Sequence, residues 1–184
     1  MVGGPAEWRW SGAADGPDVA VSGSRGKDAL LVLEEVKDPE VPVLSVVELG
    51  IVRGVEADAD RVAVTITPTY SGCPAMKTIE DDVRGALGRA GFESIEIRTV
   101  YSPAWTTDWI PEPAREKLRA YGIAPPGAAA AGEPVPLGRT VRAVKCPYCI
   151  SPDTALQSEF GSTACKSLYV CRSCKLPFEH FKSF

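Results

Sequence analysis

The cysteines are the residues best able to do chemistry in this 184-residue chain, and four of the six form two matched pairs. The pairs are Cys146-Pro-Tyr-Cys149 and Cys171-Arg-Ser-Cys174, with 21 residues between them. Each pair places two thiols within reach of one ion, and the intervening segment is long enough for a short hairpin that brings all four sulfurs together. The spacing therefore predicts a metal site of the zinc-ribbon or treble-clef kind.

Four thiolates in a tetrahedron suit Zn²⁺, and iron in a rubredoxin-like or cluster form is the alternative ion. A complete protein ligand set leaves no open position for water, so the site is predicted to be structural rather than hydrolytic. A metal-free pair of reactive dithiols is the other interpretation of the same spacing. The sole histidine, His180, is expected at the surface, because four sulfurs already satisfy the ion.

Cys73 is a second candidate of a different kind. Pro74 is well suited to the first position of a helix, so Cys73 is predicted at or just before the start of that helix. There the positive end of the helix dipole and free N–H groups would lower the pKa of the thiol. Such a thiolate could act as a nucleophile or a soft metal ligand, whereas the alternative is a cysteine selected for its size. A lone thiolate holds an iron–sulfur cluster only by sharing it, across a homodimer or with the cysteines of a client protein.

Several polar residues could support Cys73. Asp38 and Glu40 could add an oxygen ligand or a proton acceptor, or could be solvated charges of a turn. Thr67 lies on the predicted strand that leads to Cys73 and could present its hydroxyl group there. Cys165 lies between the two cysteine pairs and could be a buried small hydrophobic residue, a spare thiol or a group that supports the ligands.

The apolar periodicity predicts an α+β fold, a small α-β-β-α-β-α domain followed by the four-cysteine zinc-ribbon module. The expected boundaries are a disordered tail at 1–25, the α+β domain at 26–123, a linker at 124–140 and the ribbon at 141–184. Four prolines between positions 125 and 136 mark the linker. Trp105 and Trp109 occupy a proline-containing loop and could anchor a partner or cover the core.

The composition excludes several classes of function. A net charge of −4 provides no basic field for nucleic acid. The sequence has no run of 18 apolar residues that would cross a membrane and no apolar segment typical of a signal peptide, so a cytoplasmic protein is expected. It also lacks a glycine-rich nucleotide loop, the common hydrolase motifs and a Glu-x-x-His pair for a di-iron centre.

Two unrelated signatures occur here in one chain. The segments 38–42, 46–52 and 65–75, which end in Ser71-Gly72-Cys73-Pro74-Ala75, resemble the small domain of iron–sulfur assembly factors such as SufT. The segments 102–110 and 160–166, together with the two cysteine pairs, narrow the resemblance to the PaaD family, small subunits of the phenylacetyl-CoA ring-epoxidase system. The similarity covers residues 27–184, and Leu176 replaces the glutamate that the family often has before Pro177-Phe178.

The resemblance implies a cytoplasmic accessory protein of aerobic phenylacetate catabolism, in which a di-iron oxygenase works with a reductase bearing flavin and an iron–sulfur cluster. PaaD-like proteins are expected not to form the epoxide themselves but to help mature a metal centre, most plausibly the reductase cluster. Cys73 would then handle a transient cluster, with Asp38 and Thr67 as neighbours, and the ribbon zinc would be structural. The reductase and oxygenase subunits are the expected partners. The alternative is a non-catalytic docking subunit of the oxygenase.

Overall fold

The computed structural model describes residues 19–127 and 144–184. The strands are β1 (Ala20–Ser22), β2 (Val52–Asp58), β3 (Arg61–Ile66), β4 (Ser94–Thr99), β5 (Ile123–Ala124), β6 (Thr154–Ser158), β7 (Lys166–Cys171) and β8 (Pro177–Phe181). The helices are α1 (Gly26–Glu34), α2 (Met76–Arg89) and α3 (Glu112–Tyr121), and a short 3₁₀ helix spans Thr107–Trp109. The mixed α+β class predicted from the sequence is confirmed.

The first sheet has the order β1-β2-β3-β4. Its centre is the antiparallel β2–β3 hairpin, whereas β1 pairs with β2 and β4 pairs with β3 in parallel. A parallel pair needs a crossover connection, and α1 and α2 supply the two crossovers. Cys73 lies in the second of these, between the end of β3 and the start of α2.

Helical spacing explains which side chains α2 buries. Ile79, Val83 and Leu87 recur every four residues and are buried together in the main hydrophobic core. The helix ends at Arg89, and Gly91, which follows the capping residue Ala90, has φ +89°. Glycine adopts this left-handed conformation without the steric cost that a Cβ would add.

The second sheet has the order β5-β8-β7-β6 and contains the predicted hairpin between the cysteine pairs. Strands β6, β7 and β8 are antiparallel neighbours, and β5 adds to β8 in parallel. Strand β5 follows α3 directly, so the chain joins the ribbon sheet before it reaches residues 128–143. The ribbon and the first part of the chain therefore share a sheet.

The core of the first domain also includes ribbon residues. Cys165 and Phe181 are buried within it, and the rings of Trp105 and Phe181 lie 6.2 Å apart. The Trp105 Nε1–H group donates to the Leu49 carbonyl oxygen at 3.0 Å, which satisfies the indole donor in its buried position. The sequence left open whether this loop anchors a partner or covers the core. Trp105 covers the core and packs against Phe181 of the ribbon.

Trp109 has a different environment from Trp105. It is half-buried, and the Arg53 guanidinium group lies 3.8 Å from the centre of its ring. Such a stacked cation stabilises an aromatic ring that remains partly accessible to solvent.

Two details depart from the predicted element order. Strand β1 lies inside the segment 1–25 that was expected to be a disordered tail, while residues 1–18 of that segment lie outside the described residues. Strand β5 adds a further element after α3. Both strands are very short, two or three residues, and gain order only by pairing with a longer neighbour.

Within residues 19–127 and 144–184, none of the helices is both long and apolar enough to span a bilayer.

Trp105→Ala should lower the free energy of unfolding by about 3–5 kcal/mol, because it removes a large buried ring and its hydrogen bond. Since Phe181 packs on the same ring, the ribbon should lose protection together with the first domain. Chemical denaturation of the zinc-loaded protein, followed by hydrogen exchange, measures both effects. Tyr101→Ala, at an exposed aromatic position, is the control and should change stability little. Normal exchange protection of β8 in Trp105→Ala would contradict this packing.

Candidate metal centres

The four paired cysteines come together as predicted. Their sulfur atoms all lie within 4.8 Å of one another. The Sγ atoms of Cys146 and Cys174 are 3.7 Å apart, and those of Cys149 and Cys171 are 3.5 Å apart. A tetrahedral zinc with Zn–S bonds of about 2.3 Å requires sulfur–sulfur distances of about 3.8 Å. The donor set therefore fits one tetrahedral ion.

The two cysteine pairs adopt the same backbone turn. In each, the residue after the second cysteine has a positive φ, +62° at Ile150 and +65° at Lys175. The N–H group of that residue donates to the carbonyl oxygen of the first cysteine, Cys146 or Cys171, at 2.9 Å in both cases. A β-branched residue such as Ile150 rarely adopts this conformation, so the surrounding structure must stabilise it.

A backbone N–H group favours the thiolate form at one of the four ribbon cysteines, Cys171. The Cys174 N–H group donates to Cys171 Sγ at 3.4 Å and is the largest cause that lowers the pKa of the Cys171 thiol, to about 6. Desolvation and the neighbouring thiols raise the pKa of Cys149 and Cys174 instead, so without a cation the quartet does not ionise as a whole. The thiolate is the form that binds metal. Because all four positions of the tetrahedron are filled by sulfur, a zinc ion here would cross-link the two turns and would have no place for a reacting water molecule.

Cys73 precedes α2, but by three residues, which is farther from the helix start than the sequence predicted. The helix begins at Met76, and a turn over residues 71–75 precedes it. Cys73 is half-buried in this turn, where its N–H group donates to the Tyr70 carbonyl oxygen at 3.2 Å. The turn before α2, and not the helix itself, therefore positions the Cys73 thiol.

The predicted lowering of the Cys73 pKa is wrong, because the pKa is raised. Burial is the largest cause, and the negative charge of Glu40 adds to it. The Ala75 N–H group and the side chains of Thr69 and Tyr70 act in the opposite direction but do not reverse the shift. Desolvation disfavours the thiolate more than the local donors stabilise it.

Asp38 and Glu40 have different surroundings, although they flank the same proline. Asp38 is buried, and its Oδ1 atom accepts from the N–H groups of Glu40 at 2.8 Å and Val41 at 2.7 Å. It thereby fixes the turn, and burial raises the pKa of its carboxyl group. The carboxylate whose charge acts on the pKa of Cys73 is that of Glu40. Asp38 positions Glu40 by accepting its N–H group.

Thr67 directly follows β3 and is almost fully buried. Its N–H group donates to the Ile51 carbonyl oxygen at 2.9 Å. Its Oγ1 atom has no hydrogen-bond partner among the residues that the structure describes. A buried hydroxyl without a partner is uncommon, since such groups are normally satisfied.

Cys165 is separate from the zinc ligands and lies against the first domain. It is 3 % exposed, and its Sγ atom is 3.6 Å from Glu40 Oε2 and 3.1 Å from Thr163 Oγ1. A buried position is one of the three possibilities that the sequence left open for Cys165. Burial raises the pKa of the Cys165 thiol to about 11.

His180 is half-buried rather than on the surface, which corrects the prediction for this residue. Its Nδ1 atom lies 3.3 Å from Ser167 Oγ, and its ring packs 5.6 Å from that of Tyr169. Burial lowers its pKa to about 4, so it remains neutral near pH 7.

Two residues, one beside Cys73 and one in contact with Glu40, gave no signal in the sequence. Tyr70 lies beside Cys73, and its pKa is raised to about 12 by burial and by the charges of Cys73, Glu40 and Cys165. Lys166 is buried, and its ammonium group donates to the Glu40 carbonyl oxygen at 3.1 Å and pairs with Glu179 at 3.1 Å. A lysine in a ribbon strand next to Cys165 could have indicated this contact, because a lysine is buried only when it is paired.

Comparisons with known proteins match both parts of the chain. Residues 130–182 match the PaaD zinc beta ribbon domain, and residues 27–98 match the iron–sulfur cluster assembly protein family. A protein of Escherichia coli (strain K12) that is named as one of the subunits of 1,2-phenylacetyl-CoA epoxidase is 45% identical over 151 residues, which cover 82% of this chain and 88% of that protein.

Relatives of the first domain alone are also found. An Fe-S protein maturation auxiliary factor of Porphyromonas gingivalis (strain ATCC BAA-308 / W83) is 36% identical, over 50% of this chain and 89% of that protein. The crystal structure of a domain of unknown function, DUF59, from Bacillus anthracis is 32% identical with a TM-score of 0.47, over 50% of this chain and 89% of that one.

Cys174→Ser should lose its zinc, because a hydroxyl group replaces one of four thiolates. Cys165→Ser should retain about one zinc per chain, since Cys165 lies outside the ligand set. Elemental analysis of protein purified without chelator measures both contents. Loss of zinc from Cys165→Ser would contradict the assignment of the ligands.

The raised pKa predicts that Cys73 is slow to react with iodoacetamide near neutral pH and that its rate rises only as the pH passes 9. Glu40→Gln should increase the rate at a given pH, because it removes a negative charge that opposes the thiolate. Mass spectrometry of the alkylated Cys73 peptide in zinc-loaded protein gives the rate. Glu35→Gln, at an exposed position on the same segment, is the matched control. A rate that levels off below pH 8 would contradict the raised pKa.

Proposed function

This chain belongs to the PaaD family, and we propose that it is an accessory protein of a phenylacetyl-CoA epoxidase system that delivers or inserts an iron–sulfur cluster, with the reductase subunit as its client. In this proposal, the protein acts in the cytoplasm beside the oxygenase and reductase subunits. It catalyses no step of the epoxidation itself. Iron or a cluster is the cargo, whereas zinc belongs to the ribbon.

The observation that carries the proposal is the contrast between the two cysteine environments. The ribbon quartet is a closed set of four sulfurs, suited to an ion that stays. Cys73 is a half-buried thiol on a turn, next to the Tyr70 phenol, and is partly accessible to a partner. A thiol that carries its proton until a metal displaces it can bind cargo and release it again. The similarity of residues 27–98 to iron–sulfur assembly proteins supports the same interpretation.

Other residues of the site support the cargo-handling thiol. Asp38 fixes the turn that presents Glu40, and the negative charge of Glu40 acts on the pKa of the Cys73 thiol. Thr67 supplies a buried hydroxyl group at the end of the strand that leads to the Cys73 turn. We propose that Asp38 and Thr67 contribute through the shape of this site and that Cys73 makes the bond to the cargo.

Cys73→Ala should lower the cluster content of the reductase when the two proteins are produced together, because the proposed cargo ligand is lost. Iron and sulfide per purified reductase, together with its absorption spectrum, measure this content. The variant should keep one zinc and the normal unfolding transition. Ser71→Ala, an exposed substitution in the same turn, is the control. Full cluster content with Cys73→Ala would overturn the proposal.

A docking role without cargo is the second candidate. The ribbon exposes several large apolar side chains, namely Tyr148, Ile150, Phe160 and Leu176. Such side chains are available for contact with a partner. Stoichiometric co-purification with the oxygenase that Cys73→Ala leaves unchanged, together with an unaffected reductase cluster, would favour this function.

A further inference from the structure

Strand β4 forms one edge of the first sheet. On its inner side it pairs with β3 in parallel from Ser94 to Thr99, without a register shift. Among residues 19–127 and 144–184, no strand pairs with its outer side. A regular edge of this kind presents a row of backbone N–H and C=O groups that can pair with another strand.

The other sheet edges of the described residues are blunted, whereas β4 is not. Strand β1 has three residues and β5 has two. Strand β6 has a register shift between Leu156 and Ser158, which interrupts its ladder. Short strands and bulges are common means by which proteins prevent pairing at an edge. Strand β4 has six residues and no proline, so it is the edge of the described chain best suited to accept a strand.

The hydrogen bonds of β4 show which of its backbone groups point outward. The Val100 N–H group donates to the Ile66 carbonyl oxygen at 2.9 Å, while Ile66 is in register with Thr99. In a parallel ladder this pattern turns the backbone groups of the even-numbered β4 residues toward β3. Successive residues alternate in direction. The backbone groups that face away from β3 are therefore those of Ile95, Ile97 and Thr99.

These three outward positions define one self-complementary register with a second copy of the chain. In antiparallel pairing about Ile97, Ile97 lies opposite the partner's Ile97, and Ile95 lies opposite the partner's Thr99. Each is a hydrogen-bonded pair, because outward N–H and C=O groups meet outward groups. A two-fold axis at Ile97 therefore satisfies the outward row of both copies at once.

The charged side chains of β4 are complementary in the same register. Glu96 and Arg98 are exposed and form an ion pair at 2.8 Å within the strand, and Arg98 also lies 3.7 Å from Glu56. The two-fold axis places Glu96 opposite the partner's Arg98, in a non-hydrogen-bonded pair, where facing side chains are closest. An axis centred on Glu96 or on Arg98 would instead put like charges opposite each other.

The isoleucines of β4 supply apolar contact. Ile95 and Ile97 are half-buried and pack against the main core. In the paired register, Ile97 meets the partner's Ile97, which removes further apolar surface from water. The Arg84 guanidinium group already donates to the Ile95 carbonyl oxygen at 2.9 Å. This contact is compatible with pairing, because a carbonyl oxygen accepts two hydrogen bonds.

We propose that β4 is a dimer interface, at which two copies of this chain pair in antiparallel fashion about Ile97 and join their four-stranded sheets into one continuous sheet. The partner is a second copy because both the outward hydrogen-bonding groups and the charges are complementary to themselves. Exposed ion pairs contribute little energy, so the backbone and the isoleucines supply affinity and the charges select the register. The interface goes beyond the proposed function and does not depend on it.

The test is sedimentation of the zinc-loaded full chain over a range of concentrations, which should show a dimer. Arg98→Glu leaves only carboxylates at the facing positions and should raise the dissociation constant by about tenfold or more, because like charges directly opposite repel. Glu96→Arg should do the same with guanidinium groups. An equal mixture of the two variants should restore the dimer, because each glutamate then faces an arginine.

Arg61→Glu is the matched control for charge. Arg61 is exposed on the same face but lies on β3, one strand away from the edge, so this variant should dimerise as the wild type does. Thr99→Pro tests the backbone, since it removes an outward N–H group and keeps the ladder with β3. It should weaken the dimer. Retained zinc and an unchanged circular dichroism spectrum verify that each variant is folded.

Three results would count against the interface. A wild-type chain that stays monomeric at every concentration, or a dimer that Arg98→Glu and Thr99→Pro leave unchanged, would overturn it. Charge variants that stay monomeric when mixed would overturn the antiparallel register. A monomeric chain that uses β4 to bind an oxygenase or reductase subunit would overturn the second copy as the partner. Each of these results would leave the cargo role of Cys73 to its own test.

Discussion

The buried Lys166 ammonium group connects the two parts of this protein, since it binds the Glu40 carbonyl oxygen in one part and the Glu179 carboxylate in the other. Around it, Trp105 and Phe181 exclude water, and Cys165 packs against the turn that Asp38 stabilises. If the two parts separated, Lys166 would keep Glu179, which lies on the neighbouring ribbon strand, but would lose the Glu40 carbonyl oxygen. The position of the ribbon and the surroundings of Glu40 are therefore coupled.

This coupling explains why a zinc ribbon is attached to an iron–sulfur assembly domain. The zinc site has a complete set of sulfur ligands. Its two turns hold Ile150 and Lys175 at positive φ, a conformation that the surrounding structure must stabilise. Metal binding of this kind contributes directly to folding. The ribbon can then act as a rigid support that brings Cys165 and Lys166 to the Glu40 turn. One metal organises the protein, and a different one is its proposed cargo.

Much of this arrangement could be predicted from the sequence where the determinants are local. The spacing of the cysteine pairs indicated the quartet, and the apolar periodicity indicated the α-β-β-α-β-α order of the first domain. The pKa of Cys73 was predicted in the wrong direction because burial and Glu40, which is distant in sequence, outweigh the local N–H donors. The contacts of Cys165 and Lys166 with Glu40 span about 125 residues, and no local pattern encodes them. Strand β1 was missed because three exposed residues carry no periodic signal.

The most direct measurement of the central claim is cluster transfer between purified proteins. The zinc-loaded chain, reconstituted with Fe²⁺ and sulfide and then desalted, is mixed anaerobically with cluster-free reductase in the presence of an iron chelator. The account predicts that the reductase gains its cluster as this chain loses iron, while the zinc stays in place. A chain that retains no iron after desalting, or a reductase that gains its cluster only when the chelator is omitted, would contradict it.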